Sequence, residues 1–141
     1  LYLNYSEALN EYSGPSSEVY SYIDKIRERA GLQGVVESWQ LYTNVPGKPA
    51  SIEGMRDIIQ KERLIELSFE NHRYWDLRRW KLLQDYMNGP VQGWDIDSEQ
   101  TEGYYNLITF FNQKFTMRNY LWPIRSEVLL LNPNLVQNPG W

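Results

Sequence analysis

The 141-residue chain contains no cysteine. That excludes disulfides, thiolate metal sites and thiol nucleophiles, although it identifies no compartment. Histidine occurs once, as His72. A carboxylate-bridged di-metal site would use Glu-x-x-His on facing helices, and His72 follows Glu70 by only two residues. A Ser-His-Asp triad would also have to use His72, and the sequence supplies no strained nucleophile turn for it. Basic runs are absent and the net charge is −4, so nucleic acid is not an expected partner. No metal or cofactor motif is present. No apolar run approaches the ~20 residues of a membrane-spanning helix, and no signal-peptide pattern is present within the sequence. The first residue is Leu1 rather than Met, already in helical phase: Leu1, Tyr5, Ala8, Leu9 and Tyr12 make one face, with no N-cap before them. This pattern predicts the C-terminal piece of a longer protein, whose targeting signals would lie elsewhere.

What the chain has in abundance is aromatic surface, with six Trp and eleven Tyr. Its organising stretch is Arg56–Trp80, R-D-I-I-Q-K-E-R-L-I-E-L-S-F-E-N-H-R-Y-W-D-L-R-R-W. At helical spacing Met55, Ile58, Ile59, Ile65 and Phe69 gather within about 60° of Met55. Glu62, Glu66 and Arg73 fall in the same arc, with Glu70 at its edge. A surface helix keeps its charges opposite its apolar stripe, so these carboxylates need cations. Arg56, Arg63, Arg73, Arg78 and Arg79 are close in sequence, and arginine suits bidentate pairing in a partly buried place. The expected result is a central strut with an internal ion-pair network of Glu62, Glu66, Glu70, Arg63 and Arg73, covered on a second face through Leu64 and Leu67. Glu66→Ala is then expected to cost about 3 kcal/mol or more, because it would strand a buried arginine. Paired glutamates also occur in glycoside hydrolases, but those stand across a cleft, and residues one turn apart on a helix rarely face each other so.

Residues 1–31 read as two helices. Gly14-Pro15 separates them, Ser16 or Ser17 caps the second, Val19, Ile23, Ile26 and Ala30 form its apolar face, and Gly31 ends it. An antiparallel pair of this length is the unit of a tetratricopeptide array, and equally an ordinary helical hairpin. Residues 32–50, with Gly34, Pro46, Gly47 and Pro49, are expected to be a loop holding Trp39 and Tyr42. Ser51 caps the central helix, which the pattern runs to Asn71. Shorter helical turns follow at 74–80 and 82–87, before Asn88-Gly89-Pro90. Residues 91–103 read as a solvated acidic loop, because a calcium loop would need glycine at Gln100 and an acid at Asn106. Strands are expected at 107–112 and 114–123 around an Asn112-Gln113 turn. A helical turn at 126–131 follows, then an irregular tail docked by Leu135, Val136 and Trp141. The expected fold is mainly α: a tetratricopeptide-like helix pair at 1–31, a loop at 32–50, a long central helix with the helical turns that follow it at 51–89, and a loop, small β-hairpin and irregular tail at 90–141.

Several of these stretches together resemble the C-terminal region of the SusD/RagB family of outer-membrane nutrient-binding lipoproteins. Y-S-E-A-L-N-E at 5–11 and R-E-R-A-G-L at 27–32 resemble the family's last tetratricopeptide-like pair. I-I-Q-K-E-R-L-I-E-L-S-F-E-N-H-R-Y-W-D-L-R-R-W at 58–80 is similar to its most characteristic segment. Y-L-W-P-I-R at 120–125 and N-P-N-L-V-Q-N-P-G-W at 132–141 are similar to its closing motif. Arg125 stands where the family more often has proline. The resemblance implies four tetratricopeptide-like units, the last of them here, and a non-catalytic role. That role is capture of glycans or other nutrients at the cell surface, beside a SusC-like TonB-dependent transporter. It also implies anchoring through a lipidated N-terminal cysteine that this chain lacks, and no catalytic part for the Glu/Arg pattern.

Sugars present apolar C–H faces to aromatic rings and hydroxyls to polar groups. Trp94, Tyr104 and Tyr105 sit in a polar insert unlike the family's shared motifs, where specificity loops belong. They are the candidate stacking residues, followed by Trp39 and Tyr42; half-buried packing is the alternative role for each. Two rival functions remain: a tetratricopeptide scaffold binding protein partners, and a glycoside hydrolase using Glu62 and Glu66.

Overall fold

A computed structural model describes all residues from Leu1 to Trp141. The chain is mostly helical, with one two-stranded antiparallel sheet. It forms two compact units, Leu1–Arg73 and Tyr74–Trp141.

The first unit is built from four helices. Helix α1 (Tyr2–Ser13) ends at Gly14, whose φ of +82° suits only glycine without strain. Helix α2 (Ser17–Arg29) starts under the Ser16 hydroxyl, which accepts the Val19 N–H at 3.3 Å, and is followed by Gly31 at φ +73°. Helix α3 (Val35–Tyr42) and a 3-10 turn (Lys48–Ala50) occupy the segment expected to be loop. The periodicity missed there is Val35, Trp39 and Tyr42 at i, i+4 and i+7, with Asp24 accepting the Val35 N–H at 2.7 Å to start the helix. Helix α4 (Ile52–Glu66) is capped by Ser51, which accepts the Gly54 N–H. Val19, Ile23, Val35, Met55, Ile58 and Ile59 form one buried core, with Leu9, Tyr20, Val36 and Trp39 packed around it.

Three expectations are corrected here. Helix α4 stops at Glu66 rather than Asn71, because Phe69 and Asn71 take φ of +65° and +61°, a left-handed conformation that no helix continues through. Glu70, Ile65 and Phe69 consequently stand exposed, as does Leu64. The buried face of α1 is Leu3, Ser6 and Asn10, not Leu1, Tyr5 and Tyr12. Asn10 is drawn inward because its Nδ2 donates to the Ile52 carbonyl at 3.1 Å.

Charged residues of α4 pair with residues of α1 and α2. Glu62 pairs with Arg27, and Glu66 with Arg29. Arg63 lies 3.9 Å from Glu7 and donates to Asn4 Oδ1 at 2.5 Å. Arg56 grips Glu11 through two bonds of 2.7 and 2.6 Å. That hydrogen bond to Arg56 holds the Glu11 carboxyl below its usual range. Glu70 reaches only His72, at 4.0 Å. The Arg29 side chain is 71% exposed, so Glu66→Ala strands no buried arginine. Its expected cost falls to that of an exposed pair, ~0–1 kcal/mol, measured by equilibrium unfolding; a loss of several kcal/mol would contradict this assignment.

The second unit opens in the first turn of α5 (His72–Arg79) and continues through α6 (Leu83–Met87). Strand β1 (Gly89–Trp94) follows, then helix α7 (Thr101–Tyr104) and strand β2 (Leu107–Gln113). The expected strand at 107–112 is present, but it pairs with β1, which was expected to be loop. Gly89, Pro90 and Gly93 disguise β1, since these residues are poor strand formers; pairing on a two-stranded sheet tolerates them at its edge. Residues 114–123 are not a strand. Asn119 Oδ1 accepts from both the Thr116 N–H and hydroxyl at 2.8 Å, and this local cap winds Met117–Tyr120 into a 3-10 turn. Arg78 donates to the Tyr74 hydroxyl and to the Asn119 and Tyr120 carbonyls, tying α5 to that turn.

Helix α8 (Ser126–Leu131) precedes the tail. The tail is held by polar groups rather than by Leu135 and Val136. Gln137 brackets the Ile124 backbone with bonds of 2.8 and 2.9 Å, and Asn138 Nδ2 donates to the Trp122 carbonyl. Trp141 Nε1 donates to the carbonyls of Arg118 and Leu121.

Candidate functional site

Strand pairing sets the geometry of the aromatic insert. Strands β1 and β2 run antiparallel, with Gly89 opposite Gln113 at one end and Trp94 opposite Leu107 at the other. Phe110 is the extra residue of a bulge, and its ring lies over Gly93, where an added Cβ would sit 2.8 Å from it. Beyond Trp94 the ladder continues for one bond, from the Asp95 N–H to the Asn106 carbonyl at 3.1 Å. The connecting residues between them therefore form a closed loop. It is drawn tight at its middle, where a Cβ on Gly103 would meet Ser98 Oγ at 2.0 Å; only glycine allows that approach.

This closure brings Trp94 together with Tyr104 and Tyr105, ten and eleven positions later in the sequence. Trp94 lies 5.7 Å from Tyr104 and 5.5 Å from Tyr105, and Tyr104 lies 5.2 Å from Tyr105, centroid to centroid. The contacts to Tyr105 are edge-to-face, the arrangement favoured by ring quadrupoles. Trp94 and Tyr105 remain more than half exposed, so each keeps a free ring surface. The flanking carboxylates are solvated: Asp97, Glu99 and Glu102 have neither a cation nor a hydrogen-bond donor on their oxygens, while Asp95 Oδ1 accepts only the Asp97 N–H at 3.3 Å.

In the first unit Trp39 and Tyr42 line a different feature, an open cleft of about 490 Å³ between α2 and α3, within the usual ~300–1,000 Å³ range of small-molecule sites. Arg27, Gly31, Leu32, Gln33, Ser38 and Thr43 complete its wall. Sequence reading missed this cleft because α3 was missed. Trp39 is half-buried against the core, with Lys48 Nζ 5.2 Å from its ring, whereas Tyr42 projects into solvent. The cleft's polar groups are already engaged. Arg27 serves Gln33, Ser38 and Glu62; the Ser38 hydroxyl donates to the Gln33 carbonyl, and Thr43 Oγ1 to the Trp39 carbonyl. What it offers a ligand is chiefly apolar. The insert, by contrast, joins free ring faces to free carboxylate acceptors.

Glu62 and Glu66, the pair a hydrolase would use, project from one helix and each is bound to its own arginine. No helix in the chain is long and apolar enough to cross a membrane.

These features define a mostly helical chain bearing an exposed aromatic cluster on a solvated hairpin loop. The SusD family model matches residues 1–141: the chain belongs to the SusD family. SusD-like protein P2 of Formosa agariphila is 33% identical over 139 residues, covering 96% of this chain and 23% of that protein. SusD-like protein P25 of the same organism is 39% identical over 85 residues, 60% of this chain and 14% of that protein. Among solved structures, a SusD-like protein from Bacteroides fragilis NCTC 9343 superposes with a TM-score of 0.72 at 28% identity, covering 99% of this chain and 24% of that one. The chain thus spans less than a quarter of the length of these relatives.

Proposed function

We propose that this chain is part of a non-catalytic glycan-binding protein at the bacterial cell surface, acting in polysaccharide utilisation. In this reading the whole protein captures an oligosaccharide and delivers it to a SusC-like TonB-dependent outer-membrane transporter. It is held at the membrane through a lipidated N-terminal cysteine outside this chain. Family membership supports the role. The observation that carries the site is the Trp94–Tyr104–Tyr105 cluster, whose free ring faces stack on the C–H face of a sugar while neighbouring carboxylates accept its hydroxyls. Engagement of Glu62 and Glu66 by Arg27 and Arg29 counts against hydrolysis, because neither carboxylate faces the other across a cleft.

Calorimetric titration of the full-length protein against a panel of plant, host and microbial glycans is the test. Trp94→Ala is expected to weaken binding tenfold or more, about 1.4 kcal/mol or above. Unchanged affinity for a glycan that the wild type binds would move the site off the insert. A protein that pulls down a peptide partner but binds no sugar would favour the scaffold role.

A further inference from the structure

The insert also has a charge character that the aromatic cluster alone does not specify. From Leu82 to Gln113 there is no lysine, arginine or histidine, while Asp95, Asp97, Glu99 and Glu102 all lie between Trp94 and Tyr104, on the loop closed by the Asp95–Asn106 bond. Asp95 directly follows Trp94, and Glu102 precedes Tyr104 by two residues on α7. None of the four takes part in an ion pair, so their charge is not cancelled locally. The next cation, Lys114, follows Gln113 at the opposite end of the hairpin, ~20 Å away along a strand of this length. Carboxylates around a stacking surface do two things at once. They accept hydrogen bonds from neutral hydroxyls, and they repel carboxylate or sulfate groups on a ligand.

Resting on the glycan reading above, we infer that this site selects neutral glycans and excludes uronate-rich and sulfated ones. The repulsion is longest in reach at low salt, where the screening length is ~30 Å at 0.01 M against ~8 Å at physiological ionic strength. The exclusion is therefore sharpest in dilute buffer. A site built for acidic polysaccharides would need cations beside its rings, and this one has none within the insert.

Native affinity electrophoresis of the full-length protein at 10 mM salt tests this. The gels contain neutral glucan, mannan, xylan or galactan, or else polygalacturonate, alginate or sulfated carrageenan. At least one neutral polysaccharide should retard the wild type, with retardation lost in Trp94→Ala and in Tyr105→Ala, the second variant guarding against a folding defect in the first. No anionic polysaccharide should retard it, and the triple variant D97N/E99Q/E102Q should narrow the difference. An anionic polysaccharide that retards the wild type at 10 mM salt, but neither ring variant, overturns the charge inference while leaving the glycan site in place. Retardation undiminished in both ring variants overturns the site assignment and the inference with it. Retardation by no member of the panel overturns the glycan-binding reading itself.

Discussion

Gly54→Ala is expected to destabilise the protein by about 2–3 kcal/mol, although helix propensity alone would predict a gain. Gly54 lies in the first turn of α4, and replacing a helical glycine by alanine ordinarily stabilises by ~1 kcal/mol. Here, however, the space is taken. A Cβ at this position would sit 2.1 Å from the Lys48 carbonyl oxygen and 2.7 Å from the Ser51 hydroxyl. The first of these is backbone and cannot rotate away. The 3-10 turn carrying it is itself fixed, since the Pro49 carbonyl accepts the Tyr20 hydroxyl at 3.0 Å and Pro49 is buried. Overpacking costs ~1–3 kcal/mol, and displacing Ser51 forfeits its cap, worth ~1 kcal/mol more. Together they outweigh the propensity term. Equilibrium urea unfolding followed by circular dichroism would decide it: a Gly54→Ala variant as stable as the wild type would mean that the 3-10 turn yields freely.

Much of the fold was legible wherever a residue's role is local. Gly14 ends α1, Ser16 and Gly31 bound α2 as their chemistry requires, and Ser51 starts α4. The failures share a cause, which is that the deciding partner was remote or the signal short. Strand β1 carries two glycines and a proline, and it exists because β2 pairs with it. Helix α3 shows only a single repeat of apolar period. The buried face of α1 includes Ser6 and Asn10, so hydrophobicity points to the wrong side until α4 supplies the Ile52 carbonyl. The candidate stacking residues were legible as residue types in a polar insert. Their meeting was not, because it depends on the Asp95–Asn106 bond and on the close approach of Ser98 to Gly103.

The same distinction between local and remote partners separates two glutamates that look equivalent in sequence. Glu62 and Glu66 lie one turn apart, and each meets an arginine of α2. The Glu62–Arg27 side chains are both only 14% exposed, whereas Arg29 is largely in solvent. Arg27 also donates from Nε to the Gln33 carbonyl at 2.8 Å and from Nη2 to Ser38 at 2.9 Å, so one guanidinium joins α2, α3 and α4. Removing Glu62 leaves that cation among its neutral acceptors without its counter-charge, a change that costs on the order of 3 kcal/mol for a buried pair. Glu62→Ala is therefore expected to lose about 3 kcal/mol in urea unfolding, against ~0–1 kcal/mol for Glu66→Ala. Arg27→Ala should lose at least as much as Glu62→Ala, because it also releases the Gln33 carbonyl and Ser38. Combining the two should cost clearly less than their sum, since neither variant leaves the other's charge to be compensated. Equal small losses at Glu62 and Glu66 would mean that water reaches Arg27. The three helices would then be held by the apolar core of Val19, Ile23, Val35, Met55, Ile58 and Ile59 alone.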